Sequence, residues 1–253
     1  MNTTASPPTD STSPADATHS VDSISLALGA TSLLHLLQLA SPGLPIGGFS
    51  YSQGLESAMQ NGAVTDAGSA RGWLIEILHQ IMARFEAPLL WRLLHAWSIS
   101  DAEAVVHWNS LLLCSRDTAE FRAETVQMGF SLGRLLAALE IVSPANQAIL
   151  DSMPELALAT SYACACMTLK VPPDAALLGM LFVWAENQVL VCVKSVPLGQ
   201  VAGQRILLSL RPELEVAART SMALIDDDLC NWTPGLSLLS MQHEVQYSRL
   251  YRS

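Results

Sequence analysis

Apolar residues recur along this chain at three- and four-residue spacings far more often than they alternate. Trp73, Leu74, Ile77, Leu78 and Ile81 form one stripe, with Glu76 and His79 opposite. Phe121, Met128, Leu132, Leu135, Leu136 and Leu139 form another, with Glu124, Gln127 and Arg134 on its far side. The longest apolar run, Ala175–Val193, carries Glu186, Asn187 and Gln188 near its middle. Those three are expensive in hydrocarbon, so the run predicts a buried core helix and not a membrane span. Glu186 falls on one face with Phe182, Leu190 and Val193, which predicts a carboxyl hydrogen-bonded in a core or an interface. Leu and Ala far outnumber Val and Ile, and the fold class expected is all-α.

Breaks fall at Ser41-Pro42, Asn61-Gly62, Ser143-Pro144, Pro172-Pro173, Pro197, Arg211-Pro212 and Pro234-Gly235, leaving room for eight to ten helices. Residues 1–23 hold thirteen Ser, Thr or Pro, three Asp and no Lys or Arg. Such a composition buries too little to repay ordering and reads as a disordered tail. No second shift in composition follows, so 24–253 is expected to form a single-domain helical bundle.

Charge narrows the choice of partners. Charged residues make up 14% of the chain, against about 25% in an ordinary soluble domain. Few charges cover the exterior, which predicts apolar surface left for another protein. The net charge of −10, with only Lys170 and Lys194 as lysines and no run of arginines, argues against nucleic acid and against an anionic membrane. Cys114, Cys164, Cys166, Cys192 and Cys230 are an odd number without framework spacing, and no basic segment followed by an apolar core opens the chain. A reducing cytoplasm is the expected location.

The densest run of turn residues is 41–56, SPGLPIGGFSYSQGLE. Two prolines and four glycines stop the preceding helix, while Leu44, Ile46 and Phe49 predict a packed, specifically shaped loop. It is not a phosphate loop, because G-x-x-x-x-G-K-[ST] occurs nowhere. Nor is it a nucleophile elbow, because Ser52 stands where the second Gly of G-x-S-x-G is required. No H-x-x-x-H or C-x-x-C occurs, and Cys164 and Cys166 point apart on a helix as small core residues. His35 reads as a core histidine. His243, beside Glu244, is the one histidine placed to serve a metal, and without a ligand cluster neither metal site nor cofactor is expected. Asp226-Asp227-Asp228 lacks the pattern of a calcium loop and reads as solvated acids capping a helix. At the end of the chain Tyr247, Arg249, Tyr251 and Arg252 lie within six residues. One helical turn would present them as paired aromatics and paired cations, the types enriched at binding hot spots.

Four separated segments together resemble the urease accessory protein UreF family. They are LPIGGFSYSQGLE at 44–56, TAEFRAE at 118–124 with Gln127-Met128-Gly129, Glu186-Asn187-Gln188 leading to KSVPLGQ at 194–200, and QYSRLYRS at 246–253. The likeness spans Leu33–Ser253 and leaves out the polar tail. It implies an all-α homodimer without catalytic activity that joins UreD (also called UreH) and the GTPase UreG. The complex would help deliver nickel to the urease apoprotein, whose metal-bridging lysine is carbamylated. It further implies partner-facing residues: Gly47, Gly48, Phe49, Ser50, Tyr51 and Glu56 in the loop, Glu186, Gln188 and Lys194 on the long helix, and Tyr247, Arg249, Tyr251 and Arg252 at the end. The competing expectation is an α-helical hydrolase or metal enzyme using Ser50, Glu186 and His243, which requires those groups within hydrogen-bond reach of one another. Sparse charge carries its own prediction: light scattering after size exclusion should show a dimer or larger species, and a monodisperse monomer at tens of micromolar would contradict it.

Overall fold

The computed structural model describes Met1 and residues 28–253, so the expected tail at 1–23 and positions 24–27 lie outside the described residues. The chain forms α1 (Ala30–Leu39), a 3-10 turn (Gly48–Ser50), α2 (Leu55–Gln60), α3 (Ala67–Ile77), a π-helical segment (Leu78–Glu86) and α4 (Ala87–Ser98). There follow α5 (Ala102–Cys114), α6 (Ala119–Ala138), α7 (Pro144–Asp151), α8 (Leu158–Thr168), α9 (Pro173–Ser195) and α10 (Gln200–Ala223). A 3-10 turn (Asp226–Asp228) leads to α11 (Pro234–Glu244). Because α3, the π segment and α4 run on as one rod, the described residues hold ten helices and no strand, and the fold is all-α.

Helix starts follow side-chain chemistry. Asp66 caps α3 through a reciprocal pair with Ser69, Asp101 accepts from the Ala104 amide, and Thr118 and Ser143 accept from Phe121 and Asn146. Val196 is extended ahead of Pro197, as a residue before proline prefers, and α9 ends there.

Two features depart from the sequence pattern. Arg211-Pro212 does not end a helix, since α10 runs through it. Proline removes the amide that would bond to the Leu208 carbonyl, but Leu208 and Pro212 both face solvent, where water replaces the bond, while Leu207, Leu210 and Leu214 stay packed. In the rod, buried Ile81, Phe85, Leu89, Leu93 and Trp97 recur every four residues, a longer repeat than the 3.6-residue α turn. The wider π turn absorbs that excess between Leu78 and Glu86. Backbone carbonyls of that segment serve other elements: Ala83 accepts from Ser221 Oγ at 3.4 Å and Arg84 from the Cys230 amide at 3.2 Å.

Helix α9 runs through the centre, against α10, α4, α8, α2 and α3. By length and composition it could cross a membrane, yet more than half of its most apolar stretch is buried inside the protein, as a core helix requires. Cys164, Cys166 and Cys192 are buried core residues, and burial pushes their thiols up to about 11, 12 and 12. All five cysteines are free, with Cys114 exposed. His35 is half-buried and donates Nδ1–H to the Leu169 carbonyl at 2.9 Å, holding α1 on the end of α8. The acidic triplet caps no helix. It forms its own 3-10 turn, and Asp226 accepts from Arg92 Nε at 2.7 Å.

Helix α6 lies so close to the segment before α8 that Gly129 faces backbone: a Cβ there would stand 2.0 Å from the Leu156 oxygen and 2.6 Å from the Ala157 carbonyl carbon. Gly129→Ala should therefore destabilise the protein by about 3 kcal/mol, because backbone must move. Gly72→Ala, inside α3 with open space around it, should stabilise by about 0.5–1 kcal/mol. Urea denaturation of the two variants checks the pair.

Candidate functional site

The 44–56 loop is packed as expected, and its shape depends on left-handed backbone. Gly47 and Gly54 both have φ near +79°, and a Cβ on Gly54 would meet Leu236 at 3.0 Å. Gln53 adopts φ +56° without being glycine. Its side chain is fixed at both ends: Nε2 donates to Glu124 at 2.6 Å, while Oε1 accepts from Trp184 Nε1 at 2.9 Å and from Gln188 at 3.4 Å. Those bonds hold the strained residue in place. Asn187 donates to the Tyr51 carbonyl at 3.0 Å, so α9 grips the loop through adjacent residues. Tyr51, Ser52, Leu55 and Glu56 are buried, Gly48, Phe49 and Ser50 half-buried, and Gly47 exposed.

Glu56 is the anchor for the end of the chain. Its Oε1 accepts from the Leu250 amide at 2.8 Å, and its Oε2 accepts from the Tyr251 amide at 3.1 Å and from His243 Nε2 at 3.0 Å. On the other side of the imidazole, Nδ1 donates to Glu120 at 2.9 Å, and Glu120 also accepts from Arg249 Nη1 at 3.1 Å. His243 has no exposed surface. A carboxyl group thus lies on each ring nitrogen. Two carboxyl groups, an imidazole and the guanidinium of exposed Arg249 form a clasp, its other members buried, joining α2, α6, α11 and the terminal segment. Thr118 and Ser240 hydroxyls meet at 2.8 Å beside it, and Ser237 donates to Asp117.

The terminal segment then runs along the loop. The Arg252 amide donates to the Ser50 carbonyl at 2.8 Å, and the Ser52 amide and hydroxyl donate to the Ser253 carbonyl, the amide at 2.7 Å. Ser253 Oγ donates to Glu124 at 3.1 Å. These bonds overturn the helical turn expected of 247–252. Helix α11 ends at Glu244, Tyr247 is wholly exposed, and Tyr251 is 8% exposed within the core, with Lys194 Nζ 5.9 Å from its ring centre. Capture of the 250 and 251 amides by Glu56 diverts them from helical bonding. Arg249 is an ion-pair partner within the clasp, and Arg252 is exposed.

Glu124 is a second correction. Placed on the polar side of α6 by the stripe, it is 4% exposed and faces the loop, because Glu120, Glu124, Met128, Leu132 and Leu136 follow one another at four-residue spacing along one buried row. Burial pushes its carboxyl up to about 7; Glu86 adds to the rise, while Gln53, Arg116 and Ser253 oppose it. Arg116 makes a bidentate pair with Glu86 from the end of the π segment, leaving its buried Nε without a partner. These groups border a cavity of about 180 Å³ whose apolar wall includes Phe121, Leu181 and Trp184.

Of the other candidates, Gln188 and Lys194 touch this assembly through Gln53 and Tyr251, whereas Glu186 is half-buried elsewhere on α9, its carboxyl raised by burial. Ser50, Glu186 and His243 do not form a catalytic set, since both His243 nitrogens are bonded to Glu56 and Glu120. Reading the stripes missed Gln53, Glu120 and Glu124 as inward groups.

The sequence model of the UreF family matches residues 64–211 of this chain. Three relatives, each called urease accessory protein UreF, match over longer spans. That of Janthinobacterium sp. (strain Marseille) is 64% identical over 224 residues, covering 88% of this chain and 99% of the relative. That of Nitrosospira multiformis is 57% identical over 221 residues, covering 87% and 97%, and that of Azoarcus sp. 45% over 227 residues, covering 89% and 97%. The chain belongs to the UreF family. For a UreF protein of this sequence, the clasp draws one carboxylate, Glu120, from inside the interval matched by the family model and the other groups from outside it.

Removing one member of a buried charge cluster strands the rest. Glu56→Ala should cost about 3–5 kcal/mol in urea denaturation, and Glu186→Gln, which removes a half-buried charge held up by desolvation, should change stability by no more than about 0.5 kcal/mol.

Proposed function

We propose that this chain is a non-catalytic assembly factor in urease maturation, working in the cytoplasm as a homodimer that joins UreD (UreH) and the GTPase UreG. In this reading the complex delivers nickel, as cargo, to the urease apoprotein, and the chain acts as scaffold and regulator of the GTPase.

The observation that carries it is the surface the clasp creates. Leu238 and Met241 lie three residues apart on α11, Val245 follows at its C-terminal cap, and all are exposed, as are Tyr247 and Leu250. Singly, exposed apolar residues mean little; a succession of them leading into a segment pinned from beneath suits a preorganised docking patch. Tyr247 stands clear of the protein while Tyr251, four residues on, is fixed in the core, so the segment offers an aromatic anchor with little ordering left to lose. This patch suits UreD. The loop from Gly47 to Tyr51 with Lys194 suits the GTPase or the second subunit. Exposed Leu33, Leu34 and Leu37 on α1 add apolar surface consistent with a dimer.

Binding assays with purified partners test the assignment. Leu238→Asp with Met241→Asp should weaken capture of UreD by at least tenfold, since a lost apolar anchor is worth about 1–2 kcal/mol and 1.4 kcal/mol is tenfold. The melting temperature should stay near that of the unaltered protein. Wild-type affinity in the double variant would remove α11 from the interface.

A further inference from the structure

Among the carboxylates that hold the terminal segment, Glu124 stands apart. Glu56 and Glu120 share the His243 ring, and Glu120 also has Arg249. Glu124 accepts only from two neutral donors, Gln53 Nε2 and Ser253 Oγ. Around it, the π segment contributes Glu86, the α5–α6 connection Arg116, and the loop Tyr51, with Arg252 next to the Tyr51 hydroxyl. On its own helix the nearest acid is Glu120, one turn earlier and already paired. Helix α9 reaches Glu124 only through uncharged groups, Trp184 and Gln188 on Gln53. Among the described residues the cation acting on Glu124 is Arg116, and Glu86 holds it in a bidentate pair. The terminal serine, itself 1% exposed, closes over this carboxyl.

We propose that Glu124 is a proton-sensitive pin for the end of the chain: residues 249–253 dock over it as a neutral carboxyl and release more readily once it ionises. Lifting Ser253 opens the Glu124 side of the loop to water, which stabilises the charged form far better than two neutral donors do. The docked carboxyl, pushed up to about 7, therefore holds its proton more tightly than the hydrated one, whose ordinary value is 4.5. A raised value in the docked state means docking is fully favoured below the hydrated value and is lost as pH rises through the docked one. Linkage between those two values predicts about a tenfold fall in the docking equilibrium between about pH 6 and pH 8. The pin acts on the chain's own segment and needs no partner; only its bearing on capture of UreD rests on the function proposed above.

The test is hydrogen exchange of the Leu250, Tyr251 and Arg252 amides in the full chain, corrected for the intrinsic pH dependence of exchange. Wild-type protection should fall about tenfold between about pH 6 and pH 8, and Glu124→Gln, which keeps both bonding partners but cannot ionise, should hold it constant within about twofold. An equal fall in both proteins would overturn the pin and point to His243 and its carboxylates. Should the variant fail to fold, the wild-type chain with ¹³C-labelled glutamate decides, since amide protection must stop falling where the docked Glu124 carboxyl completes its titration. A fall that continues more than about one pH unit beyond that midpoint overturns the proposal. Failure to capture UreD with the exchange behaviour intact would count against the proposed function and leave the pin standing.

Discussion

A histidine with no solvent contact, held between two glutamates, is the interaction on which the loop and the terminal segment of this protein depend. Burying a carboxylate alone would cost several kcal/mol, and here each finds hydrogen bonds, with Arg249 beside Glu120. No two elements suffice to build the cluster. Helix α2 brings Glu56, α6 brings Glu120, α11 brings His243, and the terminal segment brings Arg249 and two backbone amides. The clasp consequently acts less as a source of stability than as a condition of register, because a slip in any of the four elements leaves a buried charge unpaired.

The loop at 44–56 shows the same logic with neutral groups. Gln53 is strained in its backbone and satisfied in its side chain, and the groups that satisfy it come from α9 and α6. Asn187 and Gln188 break the apolar run of α9 because their amides are needed at that height to hold the loop. Polarity that argues against a membrane span is therefore structural, whereas Glu186 beside them takes no part in holding the loop.

Local rules of the sequence were enough for much of this. Leucine stripes mark the helices, the prolines at 144, 173 and 234 stand at helix starts, and the glycine-rich loop announces a packed turn. The stripes fail where a buried row passes from apolar to charged residues, which hid Glu124 one turn before Met128, and where many small local preferences yield to a few strong distant bonds, which turned 247–252 from a helical turn into a pinned strap. Nothing in the spacing of Glu56, Glu120 and His243 reveals that they meet, since their separations in sequence are 123 and 187 residues. Family resemblance named segments that meet in the structure without naming their contacts, and it grouped Tyr251 with Tyr247 although one is buried in the core and the other wholly exposed.

Those separations also set a timetable. During synthesis α2 and α6 emerge long before α11, and loops of such length close slowly. Until His243 arrives, Glu56 and Glu120 have no ring between them, and the strap that carries Tyr247 and Leu250 has no anchor. The exposed apolar surface of the strap is therefore among the last features of the fold to take shape, and its arrangement records that four distant elements have already come together.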